Sequence, residues 1–437
     1  MAKQTNFFLF LRHEMGIYPR FVCLCKKVEG IGTFNTKILL SLHFETPTRY
    51  ESVGATREVI SLKEHLIKQI NKSTMKKLFL TAVTLLTAIT SGMACTNLIV
   101  GKAASADGSV IVSYSADSYG MYGYLCHYPA AVHAAGTWRE VYDWETGRYT
   151  GRIPEAAQTY NVIGNINEHQ VTIAETTFGG REELVNPEGI IDYGSLIYIA
   201  LQRSKTAREA IDVMTSLVEE YGYNSGGESF TIADPNEVWI MEMIGKGPEH
   251  KGAVWVAIRI PDDCISAHAN QARIRQFPLK DKKNCLYSKD VIKFAREKGY
   301  FEGKDSEFDF AAAYCPVDFG GLRYCDARVW SYFNMFAATD MNAYLPWAMG
   351  DASATPMPLY VQPKQKVSVR DVQNAMRDHY EGTPMDMTTD IGAGGNECPY
   401  RWRPMYFKVD GVEYCNERAT ATQQTGFWLC GQAREGK

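Results

Sequence analysis

From Cys95 onward the apolar positions follow two rhythms. Asn97-Leu98-Ile99-Val100-Gly101 is a short apolar run, Ala106-Asp107-Gly108 a turn signal and Val110-Ile111-Val112 a second run. This pattern predicts an opening β-hairpin and sets Cys95 at a sheet edge. Val171 to Thr176, Phe230 to Ala233, Val238 to Ile244 and Val254 to Ile260 read as further strands, enriched in β-branched and aromatic residues at a period of about two. Asp234-Pro235-Asn236 supplies a turn between the second and third of them. A helical rhythm intervenes. Thr206 and Glu209 form a T-x-x-E capping box, and Ala210, Ile211, Met214, Leu217, Val218 and Tyr221 recur at three- and four-residue steps. A second helix, roughly Tyr193 to Arg203, precedes it to make an αα pair. Strands in runs with helices set apart imply an α+β fold rather than a doubly wound parallel sheet. No internal repeat is present.

A different pattern precedes Cys95. From Met75 the chain reads MKKLFLTAVTLLTAITSGMA, with Lys76 and Lys77, an apolar run from Leu78 to Ile89, and small residues (Gly92, Ala94) at positions −3 and −1 from Cys95. These are the parts of an export signal, and the run is too short to span a bilayer. Its removal makes Cys95 the first residue, with a thiol and a free α-amine on one amino acid. Signals belong at chain starts, so translation is expected to begin at Met75 and residues 1–74 are read as an upstream extension. They lack steady periodicity, and Cys23-Leu24-Cys25 lacks the CxxC spacing of a metal or redox site. A genuine N-terminal domain is the alternative.

Residues 95–437 suffice for one large domain or two intimate lobes. They carry 44 Asp and Glu against 33 Lys and Arg, an acidic balance that argues against nucleic acid and anionic membranes as partners. Nine cysteines remain there, and an oxidising compartment permits partial disulfide bonding, with lone buried thiols as the alternative. HExxH, CxxC and P-loop patterns are absent, the glycines of Gly392-Ala393-Gly394-Gly395 read as a loop, and His127, His169, His268 and His379 are dispersed. No metal or cofactor is expected.

An N-terminal cysteine carries its own base. The thiol titrates near ~8.5 and an α-amine near ~7.7 to 8, so the two are matched for proton exchange and no separate histidine is required. The stretch CTNLIVGKAASADGSVIVSYSADS resembles the opening of the dipeptidase family of N-terminal cysteine hydrolases, the group containing dipeptidase A and secernins and related to penicillin V acylase and bile salt hydrolase. GNINEHQVTIAETTFGG, TAREAI, ESFTIADPNEVWIMEMIGKG, VWVAIRIPDDCISAHANQARI and DMTTDIGAGG continue the likeness over about residues 95 to 428.

The resemblance implies a four-layer αββα sandwich of the N-terminal-nucleophile hydrolase type and metal-free hydrolysis of a peptide bond in small peptides. By the same resemblance Cys95 is the nucleophile, Asp117 orients its amine, Asn270 and the backbone N–H of Thr177 hold the oxyanion, and Arg328 lies near the nucleophile. Pre-aimed donors of this kind are often the largest single catalytic contribution. Glu175 is suited to a substrate's free amine. Two departures stand out. Tyr114 and Ser115 occupy places where many relatives carry Arg and Asn of an R-N-x-D stretch, so that positive charge must come from elsewhere. After Thr425-Gly426-Phe427-Trp428 the family pattern stops, and the last nine residues, LCGQAREGK, look like a frame change that cuts short a hydrolase domain over 95–437.

Three rival readings remain open at this point: an acylase for penicillin- or bile-salt-type amides, a surface binding protein lipidated at Cys95, and an inactive truncated product. The first two would part on free against N-acylated substrates and on lipid labelling. Export to the periplasm or the cell exterior, a small peptide as partner, no stable membrane insertion after signal cleavage and a possible homo-oligomer complete the expectations.

Overall fold

A computed structural model describes residues 95–118, 123–401 and 406–437. The expectations for residues 1–74 and for the signal at 75–94 lie outside them.

The opening hairpin forms as β1 (Thr96–Val100) and β2 (Val110–Asp117), antiparallel, with Leu98 opposite Ser113. All residues of both strands are buried. The predicted strands follow as β3 (Thr172–Gly179), β4 (Gly227–Ala233), β5 (Val238–Gly245) and β6 (Ala253–Ile260). To these the structure adds β7 (Ile265–His268), β8 (Cys285–Tyr287), β9 (Tyr360–Val361) and β10 (Thr425–Ala433). One sheet runs β9-β7-β1-β2-β10. The other runs β8-β6-β5-β4-β3 and continues through three two-residue strands, Ile166–Asn167, Val162–Ile163 and His127–Tyr128. Every pairing within these two sheets is antiparallel.

The edge position expected for Cys95 is corrected here. β7 and β9 pair onto the far side of β1, leaving β1 central in its sheet. The four-residue Ile265–His268 segment is too short to announce itself as a partner strand.

Three cores explain why these strands read as near-continuous apolar runs. Ile99, Val112 and Tyr114 of the first sheet share one core with Ala174, Ile240, Ile244 and Val256 of the second. Leu98, Val100 and Ile111 turn the other way, onto Trp330 and Phe333 of helix α3 (Ala327–Phe336). Trp239, Met241 and Met243 turn away from the shared core, onto the pair α1 (Tyr193–Arg203) and α2 (Ala207–Tyr221). Both faces of each sheet are therefore covered, which removes the apolar-polar alternation of a sheet with one face in water. Each such side chain contributes roughly 1.5–3 kcal/mol by leaving water. The arrangement is α+β.

Both helices begin where the sequence placed them. Asp192 accepts from the Gly194 and Ser195 N–H groups at the start of α1, and the Thr206 hydroxyl accepts from Glu209 N–H at 3.2 Å. The capping box is offset by one residue: Glu209 Oε2 accepts from Lys205 N–H at 2.7 Å rather than from Thr206. Leu429 to Ala433, within the stretch read as a frame change, continue β10 and pair Tyr114 to Val110 of β2. The nine cysteines among the described residues all have free thiols.

Candidate active site

Cys95 immediately precedes β1 and is fully buried. Its carbonyl accepts from Arg328 Nη1 at 2.6 Å, and the same nitrogen donates to Thr96 Oγ1 at 2.7 Å. The other arm of the guanidinium donates to the carbonyl of Ala269 at 3.0 Å and to Asn270 Oδ1 at 3.1 Å. One fork therefore ties Cys95 to Asn270, a task suited to the rigid planar head of arginine. Burial pulls the Arg328 pKa down to about 10, so it remains cationic at neutral pH.

The helix that carries Arg328 is preceded by wide turns. Gly321–Asp326 form a π-helical segment running into α3, with Ala327 N–H bonding the Leu322 carbonyl five residues back. Arg328 Nε takes the Tyr324 carbonyl at 2.7 Å. Gly321 permits the packing, since a Cβ there would collide with the Gln271 side chain. Such wide turns concentrate at functional sites.

Asp117 ends β2 and is likewise fully buried. Arg418 Nη2 donates to its Oδ2 at 2.6 Å, Thr425 Oγ1 to its Oδ1 at 2.6 Å, and Ser115 Oγ to Oδ2 at 3.2 Å. The two guanidiniums of the cluster are bound elsewhere, Arg328 to the Cys95 carbonyl and Arg418 to Asp117, and neither replaces at the thiol the positive charge absent at Tyr114.

Tyr114 has another use. Its hydroxyl donates to Glu175 Oε1 at 2.5 Å, and the Cys95 thiol reaches the same oxygen at 3.4 Å. Glu175 lies on β3, fully buried, and its backbone carbonyl accepts from Asn97 Nδ2 at 2.8 Å. Glu228 of β4 stands near it, with Thr177 Oγ1 donating to Glu228 Oε1 at 2.7 Å. Burial pushes both glutamates above the usual carboxylate range. For Glu228 the Glu175 charge adds to it.

Asn270 takes the left-handed backbone region at φ 65°, which asparagine tolerates better than most residues. Its Nδ2 donates to the Thr177 carbonyl at 2.7 Å, which leaves one of the two amide N–H groups for a substrate oxygen. The β3–β4 ladder loses register between Thr177 and Gly179, a local irregularity of the kind found beside active sites.

All six residues expected from sequence thus meet in one cluster: Cys95, Asp117, Glu175, Thr177, Asn270 and Arg328. Sequence reasoning missed Glu228, Arg418 and Thr425, and noticed Tyr114 only as a departure. The signal for Glu228 was a carboxylate opening an apolar run; Arg418 and Thr425 carry no local signal. Burial, then the Glu175 and Asp117 charges, push the Cys95 thiol well above its ordinary value. Such a thiol needs a base and a nearby cation before it can attack. Among the described residues no three His, Cys, Asp or Glu side chains converge as a metal site.

A family model described as peptidase family C69 matches residues 94–128 and 121–434. The chain belongs to this family. It is accordingly a peptidase. The chain is similar to a probable dipeptidase of Salmonella dublin, 29% identical over 334 residues that cover 71% of this chain and 72% of that protein. A dipeptidase of Bifidobacterium longum is 27% identical over 354 residues, covering 71% and 63%. Dipeptidase A of Lactobacillus helveticus is 25% identical over 330 residues, covering 70% and 66%. The matches therefore span about two thirds of the relatives' own length.

Proposed function

We propose that the protein is an exported dipeptidase whose nucleophile is Cys95, made N-terminal by cleavage after Ala94. The layering of the three cores supports the αββα sandwich of N-terminal-nucleophile hydrolases as its fold. The freed α-amine takes the thiol proton, and Sγ attacks the scissile carbonyl. The free N–H of Asn270 and the Thr177 N–H receive the oxyanion, and the proton passes to the leaving amine. Water then releases the acyl group from Sγ. Asp117, pinned by Arg418 and Thr425, orients the amine. No metal or cofactor has a step in this scheme.

The observation that carries the dipeptide reading is the 3.4 Å between Cys95 Sγ and Glu175 Oε1. In a peptide the α-nitrogen lies about 2.5 Å from its own carbonyl carbon, from standard bond lengths. A carbonyl in attack position on Sγ therefore brings a free α-ammonium beside Glu175. Only an N-terminal residue offers both groups at that spacing, and an N-acyl amide would bury the carboxylate unanswered.

The test is to express the chain in an exporting host, establish a Cys95 N-terminus by mass, and offer free dipeptides beside their N-acetyl forms. Turnover of the free dipeptides alone is expected, with Cys95→Ala inactive. Preference for the acetylated forms would replace the dipeptidase by an acylase.

A further inference from the structure

Glu228 has no place in the bond-breaking steps, yet it is 1% exposed and lies opposite Thr177 in the β3–β4 ladder, diagonal to Glu175. Oε2 of Glu175 and Oε2 of Glu228 are both buried, and neither receives an N–H or O–H group from outside the pair. The two carboxyls hydrogen-bond each other, which requires a proton on one of them, and neighbouring like charges cannot both ionise readily. The surroundings offer no relief. Cys95 and Tyr114 face the pair from the first sheet, Tyr193 from α1, Glu145 from the segment before it, and Tyr223 from beyond α2. All of these side chains are neutral or acidic, and the α-amine freed on Cys95 by processing is the one assigned above to Asp117. The nearby guanidiniums are engaged elsewhere, Arg328 on the Cys95 carbonyl and Arg418 on Asp117. Among the described residues neither glutamate forms an ion pair.

A buried carboxylate without a cation is costly, and it is matched by a ligand that brings positive charge and several donors. An ammonium has three donors, enough to reach both free oxygens and one more acceptor.

We propose that Glu175 and Glu228 form one subsite for the substrate's α-ammonium, with Glu228 holding a proton while the subsite is empty and releasing it to solvent as the ammonium enters. Charge balances: the empty pair carries one negative charge, and the filled pair carries two against one positive. This rests on the reading that Cys95 attacks the carbonyl of an N-terminal residue. It deepens that reading, because selection for a free amine becomes linked to pH. Binding that releases a proton tightens as pH rises, until the substrate's own amine loses its charge near ~7.7 to 8.

The experiment is calorimetry on the processed protein with L-alaninol, which has the ammonium and no carbonyl to attack, and with N-acetyl-L-alaninol. Each titration is run in two buffers of different ionisation enthalpy. At neutral pH alaninol is expected to bind with release of up to about one proton, and the acetylated form to show no binding. Glu228→Gln should abolish proton release and raise KM for dipeptides roughly tenfold or more with kcat little changed, the signature of lost ground-state binding. Circular dichroism checks that the variant is folded. Thr177→Val is the second variant: it removes the hydroxyl that donates to Glu228 and should move proton release to higher pH.

Absence of alaninol binding, binding without proton exchange in the parent protein, or unchanged release in Glu228→Gln would each overturn the subsite. Calorimetry needs no turnover, so a protein that binds alaninol with proton release and cleaves no dipeptide sinks the dipeptidase reading alone. One that cleaves dipeptides with Glu228→Gln indistinguishable from the parent sinks the subsite alone.

Discussion

Arg328 holds Cys95, the proposed nucleophile, and the Asn270 amide in one fork, so its removal is expected to act on stability and catalysis together. Arg328→Met leaves the Cys95, Ala269 and Tyr324 carbonyls buried without this donor. At roughly 1–3 kcal/mol for each orphaned group, a loss of several kcal/mol is expected, read as a lower midpoint in urea denaturation. Asn270→Ala is the milder probe. The fold should survive, and kcat for dipeptides should fall by about 10²–10³ with KM nearly constant, as for removal of an oxyanion donor; a change confined to KM would assign Asn270 to substrate binding instead. These two residues also show what a sequence can display. His268-Ala269-Asn270-Gln271 and Glu175-Thr176-Thr177-Phe178 sit inside recognisable stretches, so their membership of the cluster was legible. Glu228 and Arg418 act across distances of 53 and 301 residues from Glu175 and Asp117, through contacts that only folding creates.

Between the two sheets the buried His268 does an element's work. His268 of β7 meets Thr176 Oγ1 of β3 through Nδ1 and Thr231 Oγ1 of β4 through Nε2, both at 2.7 Å. It thereby ties the first sheet to the second. Burial, with help from Arg273, pulls its pKa down to about 3 from the ordinary 6.5. The folded chain therefore keeps it neutral while the unfolded chain protonates it below 6.5. Its contribution to stability is fully present above 6.5 and is lost as pH falls from there toward 3. His268→Gln should be less stable than the parent at pH 7 by about 1–3 kcal/mol. The gap should shrink as pH is lowered to about 4, measured by urea denaturation across that range; a gap independent of pH would mean that the ring is not held neutral. At this scale most long strands and both capped helices were legible from periodicity. The central place of β1 was not, because its partner β7 is four residues long and follows directly on the Pro261-Asp262-Asp263 turn.

On the scale of the whole chain the site is acidic around its own nucleophile. Burial and the charges of Glu175 and Asp117 hold the thiol protonated, while Arg328 spends its charge on the Cys95 carbonyl rather than on Sγ. What the arrangement lacks is a cation and a base at the Cys95 nitrogen, and while Ala94 is attached that nitrogen is an amide, unable to be either. Cleavage after Ala94 creates both at once. A chain produced with the 94 residues before Cys95 still attached should therefore be inactive on dipeptides and alkylate slowly at Cys95. The cleaved chain should alkylate faster, along a pH curve displaced toward neutrality. Iodoacetamide rates at Cys95, followed by mass spectrometry of its peptide as a function of pH, compare the two directly. Equal curves would show that the α-amine does not tune the thiol, and the base would then have to be sought in the glutamate that already touches it.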